Sequence, residues 1–490
     1  MSETPAMLRL GLAAGGLRQA RRHPLLAGRA RRSRQTLMLL DTADRSLAAA
    51  GWLCLSRADG NVRHQAILPV SGQALSPAPV LGEELQILAQ GEAMLATVGL
   101  AGDAAGITAQ FVTTQLQQQD RESAAEEIVL HAPQDLAAAM TGLAVAVAAD
   151  LPLQWHGVAA LTAAACDLGL VEPRPVRAGQ LPFALPDNAG ALTAFIAIAR
   201  HCLTQFDANI LPVLHDSDIE GVHQMRVALR RLRSALHVFS PILPGDAVAP
   251  LVAELRWLNA PLGAKRDLDV FLSETLVPLN GIDAAAEGLR RLRDTVAERS
   301  AAAQAELGAA LRSPRCAAWR LDFARLLDEL PALIARQECE GGDAEMARQA
   351  LAQDGARGFA AVVLRKRRRK VKALGRIHGQ LDTEQLHELR IRAKRLRYAV
   401  EFFRPLFGKK DGKRFHAALT QLQDCLGALN DAAVGERLMR DVLEMPMQDP
   451  AAAAITGWFA GRQRLQLDHL GACWDSFSRM KPFWKDALGE

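Results

Sequence analysis

The stretch VHQMRVALRRLRSAL, residues 222–236, holds one histidine, four arginines and no acid. The acid-free run around it extends from Gly221 to Gly245. An exposed helix ordinarily mixes signs, because Glu–Lys and Glu–Arg pairs four residues apart support it. Val222, Met225, Leu229, Leu232 and Leu236 recur at intervals of three and four, which predicts a helix with one buried stripe. His223, Arg226, Arg230, Arg233 and His237 follow the same spacing one residue on, about 100° around the helix. The basic stripe therefore flanks the buried one. It lies at the edge of the helix packing, where it can line a groove between helices over about 15 Å from His223 to Arg233.

Laid with Val222 on Leu386, this stretch matches LHELRIRAKRLRYAV, residues 386–400. His223, Arg226, Arg230, Arg231 and Arg233 fall on His387, Arg390, Lys394, Arg395 and Arg397, and Phe239 and Pro241 on Phe403 and Pro405. Leu386, Leu389, Ala393, Leu396 and Val400 form the second buried stripe. The same ungapped register lays Leu255, Leu258, Leu262, Gly263, Ala264, Asp267 and Val270 onto Leu419, Leu422, Leu426, Gly427, Ala428, Asp431 and Val434. Shared His, Pro, Gly and Asp positions mark an internal repeat, hence two similar helical halves facing each other.

A third basic block, LRKRRRKVK (Leu364–Lys372), sits in an acid-free run from Gly355 to Leu381, and Arg365, Arg369, Lys372 and Arg376 share one helical face. KKDGKR (409–414) adds positive charge in an expected turn. One basic run ordinarily means a solvated face. Three such blocks, two of them copies, would make the halves repel unless something supplies counter-charge, and an external polyanion does so most economically. Arginine offers phosphate a planar donor fork and lysine a point charge. For His223 and His387, a packing role and a role on phosphate or a metal both remain open.

Composition narrows the field. The chain has 490 residues, 49% of them apolar, and a net charge of +4. That is a folded protein of two or three domains. Its single tyrosine, Tyr398, argues against a single-strand binder that stacks bases on aromatic rings. Residues 1–186 carry 14 Arg, no Lys and 16 acids, whereas the first lysine of the chain is Lys265. Seven scattered cysteines without a CxxC pair suit a reducing compartment. With no membrane-length apolar run and no secretion signal, the expected location is cytoplasmic, without a membrane partner.

Before about residue 186 the texture is short apolar runs broken by Gly, Pro and Asp-Gly, as in QTLMLLDTAD (35–44) and GWLCLSRADGN (51–61). This predicts strands and turns, with helical pieces near 133–149 and 156–168. Pro173, Pro175, Pro182 and Pro186 mark a connecting stretch. After it the chain is Ala/Leu/Arg-rich and periodic at helical spacing. The expected organisation is an α+β domain over 1–180, a linker over 181–190, and an all-α domain over 191–485 with halves of about 191–340 and 341–485.

At these residues the chain resembles the CHAD domain, the conserved histidine α-helical domain. VHQMRVALRRLRSAL, LRWLNAPLGAKRDLDVF (255–271), LHELRIRAKRLRYAVEFF (386–403) and LQDCLGALNDAAV (422–434) carry the likeness, in order. The resemblance implies two pseudo-symmetric four-helix bundles with a basic central channel that binds inorganic polyphosphate, without catalysis, in a family several of whose members associate with polyphosphate granules. By position, His223, Arg226, Arg230, Arg231, Arg233, His387, Arg390, Lys394, Arg395 and Arg397 would line that channel, with Arg365, Arg369 and Lys372 adding to it.

Residues 36–68 resemble the CYTH domain, an antiparallel barrel known as a triphosphate tunnel, which often precedes CHAD. The chemistry departs from that family. In MLRLGL, Met7, Arg9 and Gly11 stand where an ExExK strand has Glu, Glu and Lys. Cys54 and Ser56 replace the paired arginines of LRxR, and Pro69 a terminal lysine. Without clustered carboxylates a divalent metal has few hard ligands, and without lysine a triphosphate goes unneutralised. The expectation is a catalytically inactive CYTH-like domain, with no cofactor, kept as a scaffold or as the surface for a protein partner. The alternatives are a metal-dependent triphosphatase and a helical nucleic-acid-binding protein. The second is disfavoured because the basic stripes border buried ones, which suits a thin phosphate chain better than a duplex.

Overall fold

The computed structural model describes residues 5–59, 62–73, 78–79, 85–181, 183–185, 189–215, 219–340, 355–407, 409–437, 439 and 449–484. The N-terminal part is one antiparallel sheet of eight strands: β1 (Ala6–Leu12), β2 (Arg31–Asp41), β3 (Trp52–Asp59), β4 (Val62–Pro69), β5 (Gln86–Gly99), β6 (Thr108–Gln118), β7 (Arg121–Ala132) and β8 (Leu153–Gln154). Their order is β4-β3-β2-β5-β6-β7-β1-β8. Among the described residues no pairing joins β4 to β8, so hydrogen bonding leaves open the sheet that the sequence reading expects to close into a barrel.

Side chains alternate across each strand. Leu10 and Leu12 of β1 and Ile128 and Leu130 of β7 pack on one face with helix α1 (Ala137–Asp150). On the other face, Leu37, Leu39, Leu53, Leu55 and Leu116 pack against Leu161, Ala164 and Ala165 of α2 (Ala160–Asp167). An apolar helix thus fills part of the face on which Met7, Arg9 and Gly11 stand. Arg9 Nη1 lies 2.7 Å from Glu127 Oε1, and Glu127 Oε2 accepts from the Ala160 backbone N–H at 3.2 Å.

The rest is helical: α3 (Ala191–Ala208), α4 (Ile219–Phe239), α5 (Gly245–Val270), α6 (Ala286–Arg312), α7 (Pro314–Glu340), α8 (Ala356–Gly375), α9 (Thr383–Phe403), α10 (Lys409–Arg437) and α11 (Pro450–Arg479). The repeat is written into their starts: in the register that lays Val222 on Leu386, the first residues of α4, α5 and α6 fall on those of α9, α10 and α11. KKDGKR, expected as a turn, instead opens α10. Local chemistry fixes two of these starts. Asp382 accepts from the Gln385 N–H at 2.8 Å while Gln385 Oε1 reaches back to the Asp382 N–H, a capping box for α9. Asp449 caps α11, with Pro450 in its first turn.

Both expected apolar stripes are buried, from Val222 to Leu236 and from Leu386 to Val400. The halves meet through an aromatic cluster. Phe239 lies 5.5 Å from Phe195, 5.5 Å from Phe403 and 5.1 Å from Phe359, and Phe359 lies 6.1 Å from Phe403. Phe195 and Phe359 are themselves matched in the same register, so the repeat reaches back into α3 and α8.

One apolar core runs through the sheet and the helices. Trp155 Nε1 donates to Asp207 at 2.7 Å, and Arg320 pairs with the same carboxylate at 2.8 Å. Thr141 and Arg200 both reach Asp328. Val176 exchanges two 2.9 Å hydrogen bonds with Asn209, which stitches the proline-bearing stretch to the end of α3. Within the expected linker, residues 182 and 186–188 lie outside the described residues.

Candidate polyanion site

The two basic stripes meet in a cavity of about 240 Å³. α4 contributes His223, Arg226, Val227 and Arg230, and α9 contributes Arg390 and Lys394. The sequence reading missed two further cations, Arg266 of α5 and Arg462 of α11. The segment Phe271–Leu276, which prolongs α5, adds Phe271, Glu274 and Thr275, and Phe459 of α11 adds apolar wall.

Both carboxylates of the cavity are engaged. Arg226 Nη1 donates to Asp267 Oδ1 at 3.1 Å and to the Gly263 carbonyl at 3.2 Å, which gives the Gly263 and Asp267 positions of the repeat a role in holding that guanidinium. Glu274 lies 3.9 Å from Arg266. Six Arg and Lys side chains therefore face two acids. The Arg230 guanidinium sits 5.6 Å over the Tyr398 ring, and its Nε has no hydrogen-bond partner among the described residues. Burial, above all, lowers the basicity of Arg230, and Arg397 and Arg226 add to this. Burial, then Arg230, Arg390, Arg226 and Arg397, push Lys394 down to about 7. His223 is lowered by burial and by Arg266, so it is neutral at and above its ordinary value.

The other expected residues lie elsewhere. Arg231 is buried, with Nε 2.6 Å from Glu401 Oε1 and Nη1 donating to Gln205 Oε1 at 3.0 Å; it locks α4 to α3 and α9 instead of lining the cavity. Arg397 stands beside the cavity, bonded to Gln423 at 2.7 Å and 4.8 Å from the Tyr398 ring. Arg233, Arg395 and His387 are exposed outside it.

Arg365 and Arg369 are exposed on α8, and Lys372 donates to the Ser478 carbonyl at 3.2 Å. With Arg368 on the Met480 carbonyl at 2.9 Å, Lys372 caps the C-terminus of α11, where cations are favoured. The reason is helical phase. Ala360, Leu364 and Val371 are the buried stripe of α8, and Arg365, Arg369, Lys372 and Arg376 lie to one side of it. Arg367 and Lys370, on the other side, are the ones that approach α9 and α4. The side chain of Asp431, the counterpart of Asp267, lies outside the described residues. Among the described residues no three His, Cys, Asp or Glu side chains gather as a metal site.

Residues 197–440 match the CHAD domain family. The chain belongs to that family. The crystal structure of the CHAD domain from the plant Ricinus communis is 31% identical over 62% of this chain and 96% of its own, with a TM-score of 0.48. PptA from Streptomyces chartreusis is 14% identical, covering 62% of this chain and 100% of its own, with a TM-score of 0.35. A Hippeastrum protein described as a putative adenylyl cyclase with a dominant triphosphatase activity is 12% identical over 32% of this chain and 93% of its own, with a TM-score of 0.24. No curated protein matches the chain. Among the described residues of this CHAD protein, no helix is long and apolar enough to cross a membrane.

Proposed function

We propose that this CHAD protein binds inorganic polyphosphate, without catalysis, in the cavity between α4 and α9. The observation that carries this reading is the pairing of Arg230 with Lys394. They are matched positions of the repeat, both half-buried in one cavity, and no described carboxylate pairs with either. Cations held this way repel one another and favour an anion between them. A groove walled by packed helices admits a single phosphate chain more readily than a duplex. We read the paired sets of four helices as two bundles about this groove, and granules of polyphosphate in the cytoplasm as the protein's place in the cell.

The N-terminal sheet is, in this reading, a CYTH-like domain that has lost its catalytic set and buttresses the helices. Arg9 occupies a glutamate position and is neutralised by Glu127, and the apolar α2 fills space that a triphosphate would need. Replacing Arg226, Arg230, Arg390 and Lys394 together by Ala is expected to abolish binding of long-chain polyphosphate while the thermal unfolding transition persists. Wild-type affinity in that variant would overturn the assignment.

A further inference from the structure

We propose that a second anion site lies outside the cavity, on the exposed face where α4, α8 and α9 meet, and that it holds the polyphosphate chain where it leaves the pocket. The inference rests on polyphosphate being the ligand of the cavity. Arg233 and His237 continue the basic stripe of α4 past Arg230, one and two turns on, so His237 stands about 10 Å further along the helix. Arg395 of α9 and Arg367 and Lys370 of α8 stand near enough to His237 to act on its charge. The basicity of His237 is lowered by burial and then by Arg367, Arg395, Lys370 and Arg233, with no acid among the causes. Arg367, whose Nη1 donates to the Arg395 carbonyl at 3.0 Å, is lowered to about 10 by burial and by Arg395. The neighbouring acids are engaged elsewhere, Glu388 with Arg392 at 2.7 Å and Glu401 with Arg231 at 2.6 Å.

The repeat supplies an internal control. In the repeat register, Arg395, His237, Arg367 and Lys370 correspond to Arg231, Glu401, Leu203 and Phe206. In the first half that set is sealed: Glu401 neutralises Arg231, and Leu203 and Phe206 are buried. In the second half the same scaffold position carries a histidine for the glutamate and cations for the two apolar residues, and it faces solvent. No described carboxylate offsets this charge. A phosphate chain does, through oxygens that suit both guanidinium forks and a lysine.

The test compares tripolyphosphate with long-chain polyphosphate on wild type and on a triple variant, Arg233→Ala, Lys370→Ala and Arg395→Ala, all at exposed positions. Tripolyphosphate affinity is expected to stay unchanged. The salt dependence of long-chain binding should become shallower by about two in log–log slope, at about 0.7 for each phosphate ion pair removed. Between about 50 and 200 mM salt, that is roughly an order of magnitude less loss of affinity than in wild type. Lys370→Glu alone should weaken long-chain binding in the same direction, which guards against misfolding of the triple variant. Long-chain affinity and salt slope equal to wild type in both variants would overturn the second site. If wild type binds neither probe, or if Arg226→Ala with Arg390→Ala binds both as wild type does, the cavity reading fails instead.

Discussion

Lys394 sets a pH dependence that follows from its surroundings. It shares the cavity with His223, Arg226 and Arg230 from α4, Arg266 and Asp267 from α5, Glu274 from the segment after α5, Arg390 on its own helix and Arg462 from α11, and Arg397 acts on it from beside the cavity. Asp267 and Glu274 are already paired with Arg226 and Arg266, so burial and the guanidiniums prevail and bring Lys394 from 10.5 to about 7. Above that pH the empty cavity holds a neutral amine, whereas a bound polyanion favours the ammonium. Binding then takes up as much as one proton, and the association constant falls by up to about tenfold for each pH unit above 7. The ligand's internal phosphates, which dominate a long chain and carry only strongly acidic hydroxyls, stay ionised across this window. For the fold the sign is opposite. Between pH 7 and about 10.4 the unfolded chain binds a proton at this lysine that the folded chain does not, so the group adds stability as pH rises. The assay is polyphosphate binding at pH 6.5, 7.5 and 8.5 at fixed ionic strength, with calorimetry in buffers of different ionisation enthalpy to count protons. Lys394→Arg, which keeps its charge, should flatten the profile and abolish proton uptake. A flat wild-type profile, or a slope that survives Lys394→Arg, would refute the reasoning.

Two further outcomes are expected. Lys265→Ala strands Asp269, which is buried with Lys265 and Ser300 between α5 and α6, and should cost about 3–5 kcal/mol in chemical denaturation; pairing it with Asp269→Leu should recover most of that loss. Asp267→Ala removes one of the two acids facing the cavity and should raise polyphosphate affinity several-fold at low salt, the gain shrinking as salt is added.

How far the fold is legible in sequence depends on what the repeat records. Spacing of three and four picks out Val222, Met225, Leu229, Leu232 and Leu236 and then Leu386, Leu389, Ala393, Leu396 and Val400, and all of these are buried, because burial is periodic on a helix. The register that lays Val222 on Leu386 pairs Arg230 with Lys394 from the sequence alone. It also pairs Phe195 with Phe359, a signal present in the sequence but masked by the apolar run around Phe195. What the register does not reveal is which of two cations flanking a buried stripe turns inward. Arg230 and Arg231 are neighbours, yet one enters the cavity and the other is taken by Glu401, because the choice depends on what stands opposite in another helix. Arg266 and Arg462 fall outside the repeat's basic pattern, since their counterparts are Asn430 and Glu298. The face of α8 is a matter of phase, and the run LRKRRRKVK puts cations all around the helix. There the stripe Ala360, Leu364 and Val371 decides, and it sends Arg367 and Lys370 toward α9 while Lys372 turns to the end of α11.

The buried Arg231–Glu401 pair explains why the repeat stays a repeat in backbone but not in charge. Each half needs an element under the α4–α9 crossing. In the first half Leu203 and Phe206 supply apolar packing, and burying Arg231 there requires an acid, which Glu401 provides. In the second half Lys370 and Arg395 are exposed, so Arg395 needs no buried acid and His237 can occupy the position equivalent to Glu401. An ion pair is demanded by desolvation alone; where water remains, the scaffold can carry bare positive charge at the cost of repulsion. That repulsion is small in the presence of salt and is reversed by a bound polyanion. The asymmetry of the halves therefore follows from one difference in burial, with the cavity shared between them and the open cationic face lying only where α8 and α9 meet the end of α4.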